Sequence, residues 1–322
     1  MAHKLSEAIL RTLAYRDLFE YPLTPDEIWQ FLIERKSQKA PVAQTLRKLA
    51  AKGVIGEKDG FYFLPNSVRV RRITKSEPAS YGSKLVALRQ KRELISQRKL
   101  QRARFYCRFL RLVPWVTAVF ATGSVAAGNA KEQADLDILI VTSPRRLWLS
   151  RLFVFLILIA LGAKRKRGLG PDPDKVCPNM FFTSAGLSLP KSERNLYTAH
   201  EIVQTRLLWE RAPIYHQFLA ENRWVKEVFP NWQEKSQDIY INYNNDVRNS
   251  RKRHTSFRPR IFVSLFDFLE SVAYRIQLRF MAARRTKEIV TPERILFHSV
   301  DLPNLILKAY RKKLSGLEEL QL

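Results

Sequence analysis

Apolar and polar positions alternate at the start of the chain as they do in short amphipathic helices. A first helix is predicted by apolar side chains at helical spacing, namely Ile9, Leu10, Leu13, Ala14 and Leu18. A second helix is predicted to begin at Thr24, because Thr24 and Glu27 form a capping-box pattern around Pro25. We therefore expect two helices to open the fold.

A third helix and a hairpin complete this N-terminal pattern. Pro41 suits the start of the helix and Gly53 stops it. Its inner face consists of Val42, Leu46 and Leu49. Two short apolar runs follow in "VIGEKDGFYFL", joined by a turn with Asp59-Gly60, which is typical of a β-hairpin. Residues 1–65 are therefore predicted to form a small domain.

Strand-like and helix-like runs alternate between residues 113 and 232. The predicted strands are "WVTAVFAT", "ADLDILIVT" and "KVCPNMFFTS", and the predicted helices are "SVAAGNA", 147–162 and 193–210. This order is typical of an α/β sheet with helices packed on it. The stretch 147–162 is so apolar that we expect it to be buried against that sheet. Its uninterrupted apolar part, 152–161, has about half of the roughly 20 residues that a membrane span needs.

The end of the chain is polar to about residue 255 and then predicted to be helical at 261–283 and 303–314. The predicted fold class is therefore α/β (α+β), with a central mixed sheet flanked by helices and a mainly helical C-terminal region. The predicted division of the chain is 1–65, 66–112, 113–232 and 233–322.

The net charge of the chain indicates several alternative classes of partner. Fifty-six Lys and Arg residues stand against 30 Asp and Glu residues, which gives a formal net charge of +26. Such a charge favours nucleic acid, nucleotide phosphates or an anionic membrane surface as partner. A generally basic composition without a polyanionic partner is the other interpretation. The basic segment 164–167 keeps a peripheral membrane contact open, although a membrane partner is not our expectation.

Many of these cations lie on one long predicted helix, 85–110, which follows a predicted linker at 68–84. They are Arg89, Lys91, Arg92, Arg98, Lys99, Arg102, Arg104 and Arg108. Phe105, Tyr106 and Phe109 interleave with them at the end of the helix. Three interpretations remain open: a solvated helix face, a surface that binds backbone phosphates, and a surface that docks onto the next domain.

The cysteine content indicates a reducing compartment. Cys107 and Cys177 are the two cysteines, and there is no CxxC motif, which excludes a disulfide framework and an all-cysteine zinc site. The N-terminus carries acidic residues and lacks the uninterrupted apolar core of a signal peptide. We therefore expect a cytoplasmic protein.

The order helix, helix, helix, hairpin in residues 1–65 resembles the winged helix-turn-helix. That resemblance implies that the third helix is a recognition helix that contacts DNA or RNA. Its outward residues would be Gln44, Arg47, Lys48 and Lys52, with Lys58 on the wing. Many winged helices dock proteins instead, and this alternative stays open.

The motif with the most specific chemistry is "TGSVAAGNAKEQADLDILIVT", residues 122–142. Gly123-Ser124 ends the first central strand, ten residues follow, and Asp135 and Asp137 flank Leu136 at the next strand. Alternate strand residues share one face, so the two carboxylates project together. Two neighbouring carboxylates repel unless a divalent cation such as Mg²⁺ bridges them to substrate phosphates. Glycine allows the backbone to approach a phosphate, and Ser124 offers a hydroxyl and an N–H group beside it.

This motif and its strand–helix–strand context resemble the nucleotidyltransferase superfamily related to DNA polymerase β. The resemblance implies that Gly123, Ser124, Asp135 and Asp137 hold a nucleoside triphosphate with Mg²⁺ or Mn²⁺, with both aspartates as catalytic metal ligands. It implies transfer of a nucleoside monophosphate to an acceptor, for which nucleic acid is one class. The whole layout also resembles bacterial proteins that carry such a domain.

One departure from the family pattern leaves a second function open. Active members carry a third carboxylate on the next central strand, where this chain has "VCPNMFFTS" and offers Asn179 instead. Asp172, Asp174 and Glu201 are further candidates, although a solvated helix carboxylate is the simpler interpretation of Glu201. His200, and the pair His298 and Asp301, are interpreted as core or capping residues rather than as sites. The alternative function is a catalytically degenerate nucleotide-binding or DNA-binding regulator.

Overall fold

The computed structural model describes residues 4–65, 80–165, 172–234, 260–282, 289–296 and 301–318. Most of the predicted linker, most of the basic segment 164–167, the polar stretch before residue 255 and His298 lie outside these ranges. The predictions for those segments therefore stay predictions.

Three helices and a hairpin form the N-terminal part in the predicted order. They are α1 (Leu5–Asp17), α2 (Pro25–Gln30), α3 (Lys39–Ala51), β1 (Gly56–Lys58) and β2 (Phe61–Phe63). Thr24 and Glu27 form the predicted capping box in full. Asp59 and Gly60 have φ values of 51° and 78°, as the hairpin turn requires. The resemblance of this arrangement to a winged helix-turn-helix stays a prediction.

A long helix leads from this part into the central sheet. The elements that follow are α4 (Ser80–Leu110), β3 (Val116–Ala121), α5 (Gly123–Ala126), β4 (Leu136–Thr142), α6 (Leu147–Ala160), β5 (Val176–Thr183), α7 (Leu196–Gln204), β6 (Arg206–Glu210), α8 (Ile214–Glu221) and α9 (Val225–Val228). The prediction of one helix over 193–210 is wrong beyond Gln204. Thr205 turns the backbone into an extended conformation, and β6 then pairs with β3, because a free sheet edge outweighs local helix propensity.

The C-terminal region is mainly helical, but it also adds two strands that the sequence analysis missed. It consists of α10 (Arg260–Ala282), β7 (Ile289–Val290), β8 (Arg294–Leu296) and α11 (Leu302–Glu318). Within the described ranges, six strands form one mixed sheet in the order β6-β3-β4-β5-β8-β7. Only β4 and β5 of these neighbours run parallel. Strands as short as β7 and β8 show no periodicity of their own, so long-range pairing with β5 defines them.

The central sheet is covered on both faces, which confirms the predicted fold class. Side chains such as Leu139 and Phe182 face a core shared with α1–α3, α7–α9 and α11. Neighbouring residues such as Ile138 and Phe181 face the other core, which α4, α6 and α10 cover. The alternation along β4 places Asp137 on the same face as Leu139.

The apolar helix α6 is only half covered, which corrects the expectation that it is buried. Its inner face, including Leu147, Val154 and Leu158, belongs to the core, where α10 packs beside it. Its outer face exposes Leu156 and Ile159 by 52% and 57%. No helix in the described part of the chain combines the length and apolarity that a membrane crossing needs.

Three cations of the basic stripe of α4 are buried, namely Arg89, Arg92 and Lys99, so of the three interpretations the docking one applies to these three. Arg89 is buried, donates to both carboxylate oxygens of Glu27 at 2.7 and 2.8 Å, and also contacts the carbonyl oxygen of Pro22. Arg92 is buried and pairs with Glu20 at 2.9 Å. These contacts attach α4 to the turn and cap between α1 and α2. Lys91, Arg104 and Arg108 remain exposed.

The second half of α4 holds the loops that lead into β4 and β5. Buried Lys99 donates to the carbonyl oxygens of Glu132 and Ala134, at 2.8 Å each, and to the carboxylate of Asp174 at 2.7 Å. Arg102 also donates to Asp174, at 2.7 Å. These contacts with α4 therefore hold the loop before Asp135 in place.

Replacing Arg89 tests whether this helix fastens the N-terminal part to the sheet. Arg89→Leu leaves Glu27 without its partner, and we expect a loss of about 2–4 kcal/mol in the free energy of unfolding. Arg104→Leu on the exposed face of the same helix is the matched control and should stay within about 0.5 kcal/mol of the unmodified protein. Urea unfolding followed by circular dichroism measures both, and equal stabilities would contradict the clamp.

Candidate functional site

The predicted motif residues meet at the ends of two neighbouring strands. Gly123 and Ser124 begin α5 directly after β3, Asp135 immediately precedes β4, and Asp137 lies within it. The backbone N–H of Thr122 donates to the carbonyl oxygen of Asp137 at 3.0 Å. This bond continues the β3–β4 ladder to the motif, so the Gly-Ser turn and the Asp-x-Asp strand share one site.

Gly123 is the residue that makes this approach sterically possible. Its φ is +62°, a conformation that residues with a side chain rarely adopt. A Cβ atom added there would lie 2.8 Å from Oδ2 of Asp137, closer than real Cβ contacts. The motif glycine is therefore required twice, by its backbone conformation and by the carboxylate that it faces.

Three side chains converge at the motif, and one of them was not anticipated. Ligand atoms of Asp135, Asp137 and Cys177 all lie within 4.8 Å of one another. Cys177 is directly beside Asp137 in the parallel pairing of β4 with β5. The sequence analysis sought an oxygen ligand on this strand and therefore considered Asn179. The signal available in the sequence was Cys177 itself, which lies two residues before Asn179 on the same strand.

Arg165 places a positive charge against this cluster. Its Nη1 lies 2.9 Å from Oδ2 of Asp135 and donates to Sγ of Cys177 at 3.7 Å. The contact with Asp135 lacks hydrogen-bond geometry, and this buried oxygen accepts no hydrogen bond from the residues that the structure describes. Arg165 thus offsets the charge of Asp135 without satisfying it.

Asn179 holds Asp137 in place. It lies at a register shift, where β4 has no residue opposite it. Its Nδ2 donates to Oδ1 of Asp137 at 2.9 Å, while its own Oδ1 is buried without a hydrogen-bond partner. Two carboxylates with an unsatisfied amide oxygen and an unsatisfied carboxylate oxygen beside them fit a divalent cation, for which oxygen atoms are common ligands.

The electrostatics of the cluster agree with this fit. Burial raises the pKa of Asp137 to about 7, and the charges of Asp135 and Glu201 add to the rise. Burial also raises the pKa of Glu201 to about 7. The site therefore contains more negative charge than its own donors neutralise.

Comparison with known proteins places this geometry in a chemical class. Residues 103–199 match the nucleotidyltransferase domain family. The match extends from the end of α4 into α7 and contains the whole motif. It supports transfer of a nucleoside monophosphate from a nucleoside triphosphate in general terms. No curated protein matches the chain.

A groove with more cationic than acidic side chains opens beside Ser124, within the matched range. Its volume is about 850 Å³, and Ser124, Lys131, Lys312 and Lys313 contribute to its lining. Lys131 and Lys312 are exposed, whereas Lys313 pairs with Asp17. The sequence analysis missed Lys312 and Lys313 because α11 reaches the motif only through the tertiary fold, whereas Lys131 lies within the motif itself.

Glu201 faces a second cavity next to the motif, which corrects its interpretation as a solvated carboxylate. This cavity of about 300 Å³ is lined by apolar and polar side chains in similar numbers, among them Thr122 and the carboxylates of Glu193, Glu201 and Asp301. Thr122 directly precedes the motif glycine, so the cavity adjoins the cluster of Asp135, Asp137 and Cys177. Glu201 is the candidate carboxylate that the fold brings near Asp137.

The other candidates have structural contacts instead. Lys99 and Arg102 bind the carboxylate of Asp174, away from the cluster. His200 is buried and stacks on Tyr15 with ring centroids 4.2 Å apart, as expected of a core histidine. Asp301 accepts a hydrogen bond from the backbone N–H of Asn304 at 3.3 Å at the start of α11, as expected of a cap.

Asp172 is not part of the group formed by Asp135, Asp137 and Cys177 among the described residues. Its carbonyl oxygen accepts a hydrogen bond from the backbone N–H of Lys175. Trp224, Phe229 and Trp232 are buried packing residues, which confirms that interpretation of the "WVKEVFPNW" segment.

The predicted nucleic-acid face on α3 is solvent-exposed. Its exposed side chains are Gln44, Arg47, Lys48 and Lys52. Lys58 on the hairpin is also exposed and pairs with Asp59 at 3.4 Å. The orientation of the face agrees with the prediction, and contact with nucleic acid stays a prediction.

The raised pKa of Asp137 predicts a pH-dependent stability of the metal-free protein. A folded-state pKa near 7 lies above the unfolded value of about 3.9, so stability contributed by the neutral carboxyl is lost as pH rises through that interval. Asp137→Asn removes this loss, and we expect a higher midpoint temperature than the unmodified protein at pH 8 but not at pH 4. Scanning calorimetry at the two pH values measures the difference.

The same variant has a second expected property. Divalent cation should raise the midpoint temperature of the unmodified protein at pH 8 and leave Asp137→Asn unchanged, because the variant lacks the charge that binds the cation. Glu132→Gln, at an exposed carboxylate of the preceding loop, is the control and should keep the cation effect. Stabilisation of Asp137→Asn by cation to the same extent would contradict the assignment.

Proposed function

We propose that this chain transfers a nucleoside monophosphate from a nucleoside triphosphate to a hydroxyl acceptor, with nucleic acid as the acceptor class. The observation that carries the proposal is the approach of Gly123 to Asp137, with only 2.8 Å between the carboxylate and the place of a Cβ atom. It joins the two halves of the motif into one pocket for phosphate and cation.

Each part of the pocket has a distinct task in this proposal. Gly123 leaves room for a phosphate beside the backbone, and Ser124 donates its hydroxyl. Lys131 and Lys312, in the groove beside Ser124, neutralise the outgoing pyrophosphate. Asp135 and Asp137 hold the divalent cation, and Asn179 keeps Asp137 oriented.

The bound cation supplies charge stabilisation to the phosphate oxygens in the transition state. The chain itself must position the acceptor hydroxyl and remove its proton. Glu201 is suited to that task because it borders the adjoining cavity and has a pKa near 7. An acceptor that enters this cavity therefore meets both the phosphate and a proton acceptor.

The choice of acceptor rests on charge. The net charge is +26, and exposed cations lie on α3 as well as in the groove. A polyanionic acceptor gains from both surfaces, whereas a cationic small molecule is repelled. Arg47, Lys48 and Lys52 are the proposed contacts of the nucleic-acid backbone.

One observation favours the alternative, a regulator that binds nucleotide without turnover. The guanidinium of Arg165 lies 2.9 Å from Asp135 and thus occupies part of the space that a second cation needs. A protein that used Arg165 in place of one cation would retain nucleotide and lose transfer. Its DNA contacts would be the same residues of α3.

A labelling experiment separates the two functions. The purified full chain is incubated with each α-labelled nucleoside triphosphate, divalent cation, and cellular RNA, DNA or protein in separate reactions. We expect label on nucleic acid, and none with the Asp135→Ala/Asp137→Ala variant, because that variant lacks both cation ligands.

One control variant and two contrary outcomes complete the experiment. Asp59→Ala, at an exposed carboxylate of the hairpin, should transfer label as the unmodified protein does. Cation-dependent nucleotide binding without label on any acceptor would contradict transfer and favour the regulator. Label on protein alone would contradict nucleic acid as the acceptor class.

A further inference from the structure

Cys177 occupies a position where an oxygen ligand is expected. It lies directly beside Asp137 in the parallel pairing, and its Sγ belongs to the group of atoms within 4.8 Å of one another. Atoms bound to one cation at about 2.0–2.3 Å are at most about 4.5 Å apart. Because a zinc-class ion is tetrahedral, its ligand atoms lie only about 3.5 Å apart, so side-chain shifts of up to about 1 Å bring both carboxylates and the thiol onto one ion.

An independent observation points to a ligand at the same place. Among the described residues, Oδ1 of Asn179 is a buried acceptor without a hydrogen bond, and Oδ2 of Asp135 has only the ion-pair contact with Arg165 at 2.9 Å. A buried acceptor left unsatisfied costs about 1–3 kcal/mol. Both oxygens adjoin Asp137, which Asn179 contacts at 2.9 Å. A cation bound between Asp135, Asp137 and Cys177 gives Oδ1 of Asn179 a positive charge to face and adds to the charge that Arg165 offers Asp135.

The donor set decides which cation that is. Mg²⁺ is a hard ion that takes oxygen ligands, whereas a thiolate favours Zn²⁺ and Co²⁺. We propose that Cys177 is a metal ligand and that the site prefers a divalent transition metal of the zinc and cobalt class to Mg²⁺. This inference rests on the proposed function, because it names the cation of the same pocket.

Ligation by Cys177 has a defined chemical balance. The sulfur–metal bond forms as the thiol loses its proton to the solvent buffer, and no electrons are transferred. Arg165, which donates to the same sulfur at 3.7 Å, withdraws as the metal arrives. Metal binding should therefore release protons and strengthen with rising pH.

Cobalt provides a direct test, because a thiolate bound to Co²⁺ gives a ligand-to-metal charge-transfer absorption in the near ultraviolet. The full chain, free of other metals, is titrated with Co²⁺. We expect this absorption in the unmodified protein and its loss in Cys177→Ser. Cys107→Ser, at the buried cysteine of α4, is the matched control and should keep it.

Calorimetric titration of the same proteins with Zn²⁺ and Mg²⁺ tests the preference. Cys177→Ser should weaken Zn²⁺ binding by at least about tenfold, and Cys177→Asp should shift the preference towards Mg²⁺. Zn²⁺ affinity that is equal in Cys177→Ser and the unmodified protein would overturn the inference, as would Co²⁺ binding without the charge-transfer band.

A measurement on the unmodified protein covers the case in which the variants fail to fold. Saturating Zn²⁺ should slow alkylation of Cys177 by iodoacetamide, followed by mass spectrometry of its peptide, and equal rates would overturn the inference. Nucleotidyl transfer with Mg²⁺, together with any of the overturning results, would remove this inference alone. Strong Zn²⁺ ligation by Cys177 without nucleotide binding would instead remove the proposed function.

Discussion

The site is built around the repulsion between two carboxylates that one strand brings together. Asp135 and Asp137 project from neighbouring positions of the same strand face, and the surrounding donors neutralise them only in part. Arg165 lies 2.9 Å from the first and Asn179 donates to the second at 2.9 Å, yet burial, together with the charges of Asp135 and Glu201, raises the pKa of Asp137 to about 7. A bound cation would neutralise the remaining negative charge. The same excess charge therefore destabilises the metal-free site and favours cation binding.

The long helix α4 makes that arrangement rigid. Its buried arginines pair with Glu20 and Glu27 and so attach the N-terminal helices. Further along the same helix, Lys99 holds the loop before Asp135. The three buried cations of this helix are therefore internal structure rather than a binding surface. The exposed cations of α3 and of the groove beside Ser124 remain for an anionic partner.

The elements that the sequence predicted correctly are those with local signals. The capping box at Thr24, the Asp59-Gly60 turn and the apolar strand after Asp135 each depend on nearby residues. The misses depend on distant partners: β6 forms because β3 offers an edge, and β7 and β8 because β5 does. The same holds in the site, where the motif aspartates were found by spacing, whereas Cys177, Arg165 and Lys312 come together only through pairing and packing.

The most direct test of the account measures binding of a non-hydrolysable nucleoside triphosphate by calorimetry, with and without divalent cation. The unmodified protein should bind only with cation, and Gly123→Ala should lose at least about tenfold in affinity, because its Cβ would displace the Asp137 carboxylate. Gly53→Ala is the control, since Gly53 also has a positive φ, of +70°, but faces open space. Cation-independent binding, or equal affinity in Gly123→Ala, would contradict the account.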